Sequence, residues 1–475
     1  MSWKEADTME EFRMSSDSLG EVRVASAAYW GPQTQRAVNH FAISGLRLPR
    51  RFIRAQGVIK WAAARANHEV GALRDDLSSA IMKAADEVIS GQWDDQFVVD
   101  VYQAGAGTSQ NMNANEVIAH RAQELLGGQR GEVNLVHPND HVNMAQSTND
   151  TIHVAIHIAG AEALIYDLIP ALQEAENVLR QKSDAWMNIV KAGRTHLQDA
   201  VPMRLGQEVG GWAGALRYWI EGLKDRTERL YQIGLGGNAV GTGINAHPEY
   251  RRRAVAAVAD KTGLPFELPD NMFTFIQNMD AVLECSGIVR GAATAVGKIA
   301  NDIRLLSSGP RTGLAELQLP AVQPGSSIMP GKVNPVMAEM INMVCYQVFG
   351  HDVTIQQAVA AAQLELNVMM PVVAYNFLQE IQILSAGLRA FTKHALEGLE
   401  ADAKRVTGFV EWSTAIATAL NPYIGYDNAA KVAKAAYAEG KTVRQIVKER
   451  NLLDENTLDE ALNLAHMTRI DSPAQ

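Results

Sequence analysis

Ser326, Lys332 and Asn334 share one eleven-residue stretch, Gly325-Ser326-Ser327-Ile328-Met329-Pro330-Gly331-Lys332-Val333-Asn334-Pro335. Glycine lets such a loop move and proline keeps it out of helix, so the polar side chains are presented to a ligand rather than buried. Three further polar clusters interrupt an apolar chain. Ala104-Gly105-Ala106-Gly107-Thr108-Ser109 leads into Asn111, Asn113 and Asn115; His137-Pro138-Asn139-Asp140 runs on to Gln146-Ser147-Thr148-Asn149-Asp150; and Gly193–Asp199 holds Thr195 and His196. Thr148 and Asn149 precede an apolar helix, whose free N–H groups and dipole favour an anion, although for an isolated Ser-Thr-Asn simple N-capping is the commoner explanation. A single His beside a Thr is, alone, more often a surface residue. Together, hydroxyls, amides, one imidazole and one ammonium can surround a small dianion, and no metal-ligand spacing is present. No metal and no organic cofactor is expected.

Two other motifs do not hold. Between Gly325 and Gly331-Lys332 lie five residues where a phosphate loop needs four, and Val333 stands where that loop needs Ser or Thr. Gly234-x-Gly236-x-x-Ala239 follows an amphipathic helix rather than a strand, so it reads as a helix-to-helix turn and not a dinucleotide site.

The elements that must hold these clusters are helices. From about residue 148 to 400 the pattern is helical: Leu164, Leu168, Leu172 and Leu179 recur at helical spacing, as do Trp212, Leu216, Trp219, Ile220, Leu223 and Leu230. Residues 282–306 and 336–364 are apolar on more than one side, which calls for several neighbours, other subunits among them. Strand-like alternation is confined mainly to the first 30 residues, around Gly20–Val24. The expected division is a mixed, mostly helical N-terminal domain over 1–147, a central long-helix domain over 148–400 and a small helical domain over 401–475, in keeping with two to three domains for 475 residues.

A net charge of -10 with no basic, aromatic-interleaved patch argues against nucleic acid as a partner. Cys285 and Cys345, far apart in apolar helical contexts, suit reduced buried thiols. The opening MSWKEADTMEEF lacks an apolar core, so no signal peptide is expected, and no run approaches 18 apolar residues, so no membrane span is expected either. The chain reads as cytoplasmic.

The loop Gly325–Pro335 resembles the signature of the fumarase/aspartase superfamily. The similarity extends along the chain through Asn111–Glu116 (NMNANE), His137–Asn143 (HPNDHVN), Gly193–Pro202 (GRTHLQDAVP), Gly241–Asn245 (GTGIN), Asn301–Arg311 (NDIRLLSSGPR) and Glu365–Met369 (ELNVM), in family order. The resemblance implies a mainly α, three-domain fold whose long central helical bundle builds a homotetrameric core. It further implies active sites shared between subunits, each completed by conserved regions from three of them. It implies a lyase that releases fumarate from a C4-dicarboxylate. Carried over residue by residue, Ser326 is the catalytic base; Thr108, Ser147 and Thr148 supply donors to the carboxylate that becomes an aci-carboxylate; Lys332 and Asn334 bind the other carboxylate. Asn149, Thr195 and His196 line the leaving-group side, with His196 paired to Glu339. His137, Asn139 and Asp140 correspond to a secondary dicarboxylate site. A serine alkoxide needs a closed, dry loop and nearby cationic or N–H donors.

Between the branches the chain is mixed. Gly105–Ser109 and Gln146–Asp150 match the aspartase patterns GAGTS and QSTND, where fumarases usually show Gly-Ser-Gly-Thr and QSSND, and Leu366–Met369 leans the same way. Tyr29–Arg36, His137–Asp140 and His247–Tyr250 resemble fumarases instead. Function lives in the site rather than the scaffold, and Ala106 removes a hydroxyl that could orient water or the malate hydroxyl, so L-aspartate is the expected substrate and L-malate the alternative. Argininosuccinate and adenylosuccinate are disfavoured. A non-catalytic structural role, as in lens crystallins of the wider superfamily, sits poorly with intact Ser326, Lys332, Asn334 and His196.

Overall fold

The computed structural model describes residues 11–469, so most of the acidic opening lies outside the described residues. Two antiparallel strands come first, β1 (Phe12–Asp17) and β2 (Gly20–Ala25), with Asp17 opposite Gly20. Then follow α1 (Pro32–His40), α2 (Arg50–Glu69), α3 (Asp75–Ser90), α4 (Thr108–Leu125) and α5 (Thr148–Ala163), which runs through a π turn into α6 (Ile169–Ala185). A hairpin, β3 (Val190–Thr195) and β4 (Gln198–Arg204), precedes α7 (Leu205–Thr227), α8 (Tyr250–Thr262), α9 (Met272–Gln277), α10 (Asp280–Leu306), α11 (Val336–Ala360) and α12 (Met370–Phe391). Short helices between Ala403 and Met467 complete the chain.

The protein is mainly α, and its longest helices fall in the central segment, as expected. The β3–β4 hairpin corrects the expectation of an uninterrupted helical pattern there. Lys191, Ala192 and Gly193 are all buried, so β3 lacks the two-residue alternation that announces a half-buried strand.

One helix meets a looser criterion of apolar length, mean hydropathy rather than an unbroken apolar run. The continuous helix Thr148–Ala185, 38 residues, contains an 18-residue window of mean hydropathy 1.5, long and apolar enough by composition to cross a membrane. That window is 83% buried inside the protein, and a buried core helix meets the same criterion.

By compactness the chain groups into two units, each drawn from three stretches. The first comprises Met1–Pro170, Glu221–Gly291 and Tyr346–Leu384. At its centre α2 packs on α3, α5 and α8. Alanines at 55, 62, 63 and 66 keep the buried face of α2 shallow, so neighbouring helices approach closely around Phe52, Val58 and Ile59. On α5 every residue from Asp150 to Ala163 is buried; Ile152, Ile156 and Ile158 each contribute roughly 1.5–3 kcal/mol by leaving water. A Cβ at Gly160 would strike the ring of Phe377 on α12, so only glycine lets these helices meet there. Beside them Arg290 of α10 holds Asp352 of α11 at 2.7 Å, and Ser286 donates to the same carboxylate.

The second unit comprises Ala171–Ile220, Ala292–Cys345 and Ser385–Gln475. Its helical segments meet around Leu179, Leu216, Val296, Ile299, Leu388 and Phe391. Trp212 Nε1 donates to Asp302 at 3.1 Å across this packing. A separate apolar cluster, including Val410, Leu420, Val432, Ile446 and Leu458, seats the C-terminal helices against Ala192 of β3. Cys285 and Cys345 are free and buried, and burial pushes both thiols up, Cys345 to about 12.

Candidate active site

In the first unit two helix N-termini lie side by side. The turn Gly105–Gly107 rests on α5, with Gly107 at φ +83 and so close to Ile152 that a Cβ would sit 3.1 Å from its side chain. That close approach, in left-handed backbone, is why glycine precedes Thr108. Thr108 opens α4 exposed; Gly107 offers no side-chain cap, and Gln103 Oε1 accepts the Gln110 N–H of the first turn at 2.8 Å. Ala106 is buried and also left-handed, at φ 60; its N–H donates to the Val368 carbonyl at 2.8 Å.

Ser147 caps α5 as the sequence suggests. Its hydroxyl accepts the Asn149 N–H, while Asp150 Oδ1 takes the Ser147 N–H at 3.0 Å, a capping box. The capping reading therefore holds at this N-terminus. Asp150 Oδ2 also accepts N–H groups from Gly236 and Asn238, both at 2.9 Å, and Asn149 Nδ2 donates to the Ala239 carbonyl at 2.8 Å. The glycine motif at 234–239 is thus a loop clamped onto the start of α5. Asp150 is fully buried, and desolvation pushes its carboxyl up to about 6 against the pull of those backbone donors.

Under these N-termini lies a group that sequence reading missed. Lys60 on α2 is buried, and its ammonium donates to Asn111 Oδ1 at 2.9 Å, Asn143 Oδ1 at 3.0 Å and Gln146 Oε1 at 2.9 Å. Burial lowers its pKa to about 7, with Asp150 opposing the shift. Asn111 Nδ2 in turn donates to Thr148 Oγ1 at 3.3 Å. The signal was present in the pattern: Gln56 and Lys60 stand four residues apart on the buried face of an alanine-rich helix, where polar residues need partners. Of the other asparagines in that cluster, Asn113 is scaffolding, holding the Val98 N–H and the Gln96 carbonyl. Glu116 is likewise structural: its carboxylate accepts N–H groups of Gly31, Gln33 and Thr34 at the start of α1.

His137 begins a short π turn, and its Nδ1 accepts the Asp140 N–H at 3.1 Å; Asn139 and Asp140 are exposed beside it.

In the second unit the signature loop is closed at its base by Asn334, whose Nδ2 donates to the Gly325 carbonyl at 2.6 Å. Inside the loop Ser326 Oγ accepts N–H groups from Ile328 at 3.2 Å and Met329 at 3.0 Å. Two such donors stabilise negative charge on an oxygen. Lys332 is exposed after Gly331, itself at φ +81, and among the described residues its ammonium has no partner. Glu339 lies in the first turn of α11.

Thr195 and His196 stand exposed at the tip of the β3–β4 hairpin. Thr195 pairs with Gln198, so His196 and Leu197 form a two-residue turn, with φ of 55 and 58. Both are left-handed, a conformation two-residue hairpins usually give to Asn and Gly. Left-handed backbone in non-glycine residues costs free energy that the surrounding hairpin must hold. The base of the hairpin is anchored by Glu316, fully buried, with Lys191 at 3.1 Å and Arg194 at 2.7 Å as close ion pairs that fall short of hydrogen-bond geometry. Among the described residues His196 and Glu339 share no hydrogen bond within the chain.

The structure therefore brings Thr108, Ser147, Thr148 and Asn149 together in one unit, and Ser326, Lys332 and Asn334 onto one loop in the other. Each set offers anion donors: helix N-termini and hydroxyls in the first, an ammonium and loop N–H groups in the second.

Comparison with known proteins defines the class first. A family profile described as "Lyase" matches residues 20–350, and one described as "Fumarase C C-terminus" matches residues 416–469. The chain is 47% identical over 460 residues to an aspartate ammonia-lyase of Bacillus subtilis (strain 168), covering 97% of each. It is 50% identical over 459 residues to a class II fumarate hydratase of Halobacterium salinarum, again covering 97% of each. A crystal structure of a class II fumarase from Schistosoma mansoni superposes with a TM-score of 0.94 at 36% identity, over 97% of this chain and 100% of that one. The chain belongs to the fumarase/aspartase family and is a lyase.

Proposed function

We propose that this lyase removes ammonia from L-aspartate by anti β-elimination, giving fumarate, in a homotetramer whose active sites are shared between subunits. Ser326, as alkoxide, takes the proton from the carbon beside one carboxylate. The electron pair left behind is held as an aci-carboxylate, then forms the carbon–carbon double bond as the C–N bond breaks and ammonia departs. Thr108, Ser147 and Thr148 stabilise the aci-carboxylate, Lys332 and Asn334 grip the other carboxylate, and Asn149, Thr195 and His196, with Glu339 behind His196, attend the leaving group. The two backbone N–H groups on Ser326 Oγ support its role as base, since they favour the alkoxide before substrate arrives. Two free, buried thiols suit a reducing compartment such as the cytoplasm.

The observation that carries the choice of ammonia is Ala106. A methyl group, buried one residue before the glycine that leads into Thr108, offers no hydroxyl to orient water or the malate hydroxyl. The second reading, hydration of fumarate to L-malate, is supported by the His137-Asn139-Asp140 cluster as a secondary dicarboxylate site and by relatives that carry that name.

The test is fumarate absorbance in the ultraviolet after mixing pure protein with L-aspartate, then with L-malate. A rapid signal from aspartate is expected. A signal from malate alone assigns the hydratase reading, and silence with both rejects either.

A further inference from the structure

We propose that Lys60 is a positioning residue that acts through Asn111 to aim the Thr148 hydroxyl, as a hydrogen-bond donor, at a bound carboxylate. This rests on the reading above that Thr148 meets substrate.

An ammonium has three hydrogens and no lone pair. All three of Lys60 are spent on side-chain amide oxygens, those of Asn111, Asn143 and Gln146, at 2.9–3.0 Å. That arrangement fixes which way each amide faces: oxygen toward Lys60, nitrogen away. The Asn111 amide nitrogen gives one hydrogen to Asn143 Oδ1 at 3.2 Å and the other to Thr148 Oγ1, 3.3 Å off, donating into its lone pair. A hydroxyl whose oxygen is receiving an N–H must direct its own hydrogen elsewhere, and among the described residues Thr148 Oγ1 donates to no acceptor. Thr148 is half-buried at the first position of α5, so its hydrogen is left for an anion at that helix N-terminus. The positive charge, one amide removed, also polarises that donor in a low-dielectric setting. Thr151, whose hydroxyl gives a weaker 3.3 Å bond to Asn111 Oδ1 and a better 2.9 Å bond to the Ser147 carbonyl, holds the amide from the other side. Asp150 of α5 is the acidic group whose charge is felt at Lys60, and its oxygens are taken by backbone N–H groups.

The relay is tested by a double-mutant cycle on the full-length protein, with fumarate formation from its own substrate as the readout and with assembly and melting temperature recorded for each variant. Lys60→Met and Thr148→Val are each expected to lower kcat/KM by about 30-fold or more, with KM raised. The double variant is expected to be little worse than Thr148→Val alone, since the lysine then has no hydroxyl to aim. Additive losses would show that Lys60 serves only the scaffold. Should Lys60→Met fail to fold, Asn111→Asp replaces it: the carboxylate keeps Lys60 partnered but offers Thr148 no N–H, so kcat/KM should fall at least as far with the fold retained. Asn111→Asp with kcat/KM within about threefold of wild type overturns the relay. Thr148→Val with unchanged kcat/KM instead removes the reading on which the relay stands.

Discussion

Asn334 donates its side-chain amide to the carbonyl of Gly325 at 2.6 Å, closing the base of the loop that carries Ser326. One half of the amide is thus committed to shaping the loop, which leaves its Oδ1 and second hydrogen for a ligand. Replacing Asn334 by Asp turns that donor into an acceptor facing a carbonyl oxygen. Cleavage within residues 322–333 by a protease is then expected to quicken several-fold while the helical core resists as before. Limited proteolysis followed by mass spectrometry reads this, and an unchanged cleavage rate would remove the clasp from the account.

The hairpin tip makes a separate prediction. Leu197 is exposed and left-handed, where a β-branched residue is strongly disfavoured. Leu197→Val should be less stable than Leu197→Gly by about 1–2 kcal/mol or more, since glycine alone adopts left-handed backbone without that cost. Chemical denaturation of the two variants decides it; equal stabilities would argue against a strained turn beside His196.

Glu316 ties the hairpin to the second unit through buried ion pairs. Its carboxylate is buried between Lys191 and Arg194, so Glu316→Ala leaves two cations without it, one of them, Lys191, still paired to Glu208 at 2.6 Å. Breaking a buried pair in this way costs about 3–5 kcal/mol. A melting-temperature loss is expected, with activity falling because the hairpin that carries Thr195 and His196 loosens. A variant as stable as wild type would show that the cluster is not what holds the hairpin.

Acid sensitivity follows from the imidazoles on α5. Burial holds His153 well below the usual histidine pKa and His157 down to about 4. Both are therefore neutral when folded, while in the unfolded chain they protonate near 6.5. Below that pH the unfolded state binds more protons, so stability falls as pH drops through the window from 6.5 toward 4, by up to about 1.4 kcal/mol per unit for each group. His153 stacks on Phe275 at 4.1 Å, and neither ring nitrogen has a protein partner among the described residues. His153→Phe keeps the stack and removes the titration, so its gain in melting temperature should be larger at pH 5 than at pH 7. A gain independent of pH would contradict this.

The sequence carried the helical class, the signature loop and the cap at Ser147 because each leaves a local mark: periodicity, glycine with proline, and a Ser-Thr-Asn-Asp run before an apolar helix. Lys60 and Glu316 were not read: for Lys60 the only local mark is Gln56 one turn away on an alanine-rich helix, Glu316 has none, and their partners lie more than fifty and more than a hundred residues away. The hairpin was hidden for a related reason. The middle of β3 is buried on both sides and loses its alternation, and the turn uses His and Leu where Asn and Gly would have announced it. Asn113 went the opposite way, a residue of a polar cluster that serves the scaffold, as does Glu116 in the same motif.

The central claim is that Ser326 takes the proton. Steady-state fumarate formation by Ser326→Ala, beside wild type and with assembly and melting temperature shown to be unchanged, tests it most directly. Loss of a positioned base predicts a fall in kcat of about 10³-fold or more with substrate still bound. Turnover within a few-fold of wild type would mean that another group removes the proton, and the loop would be left with binding alone.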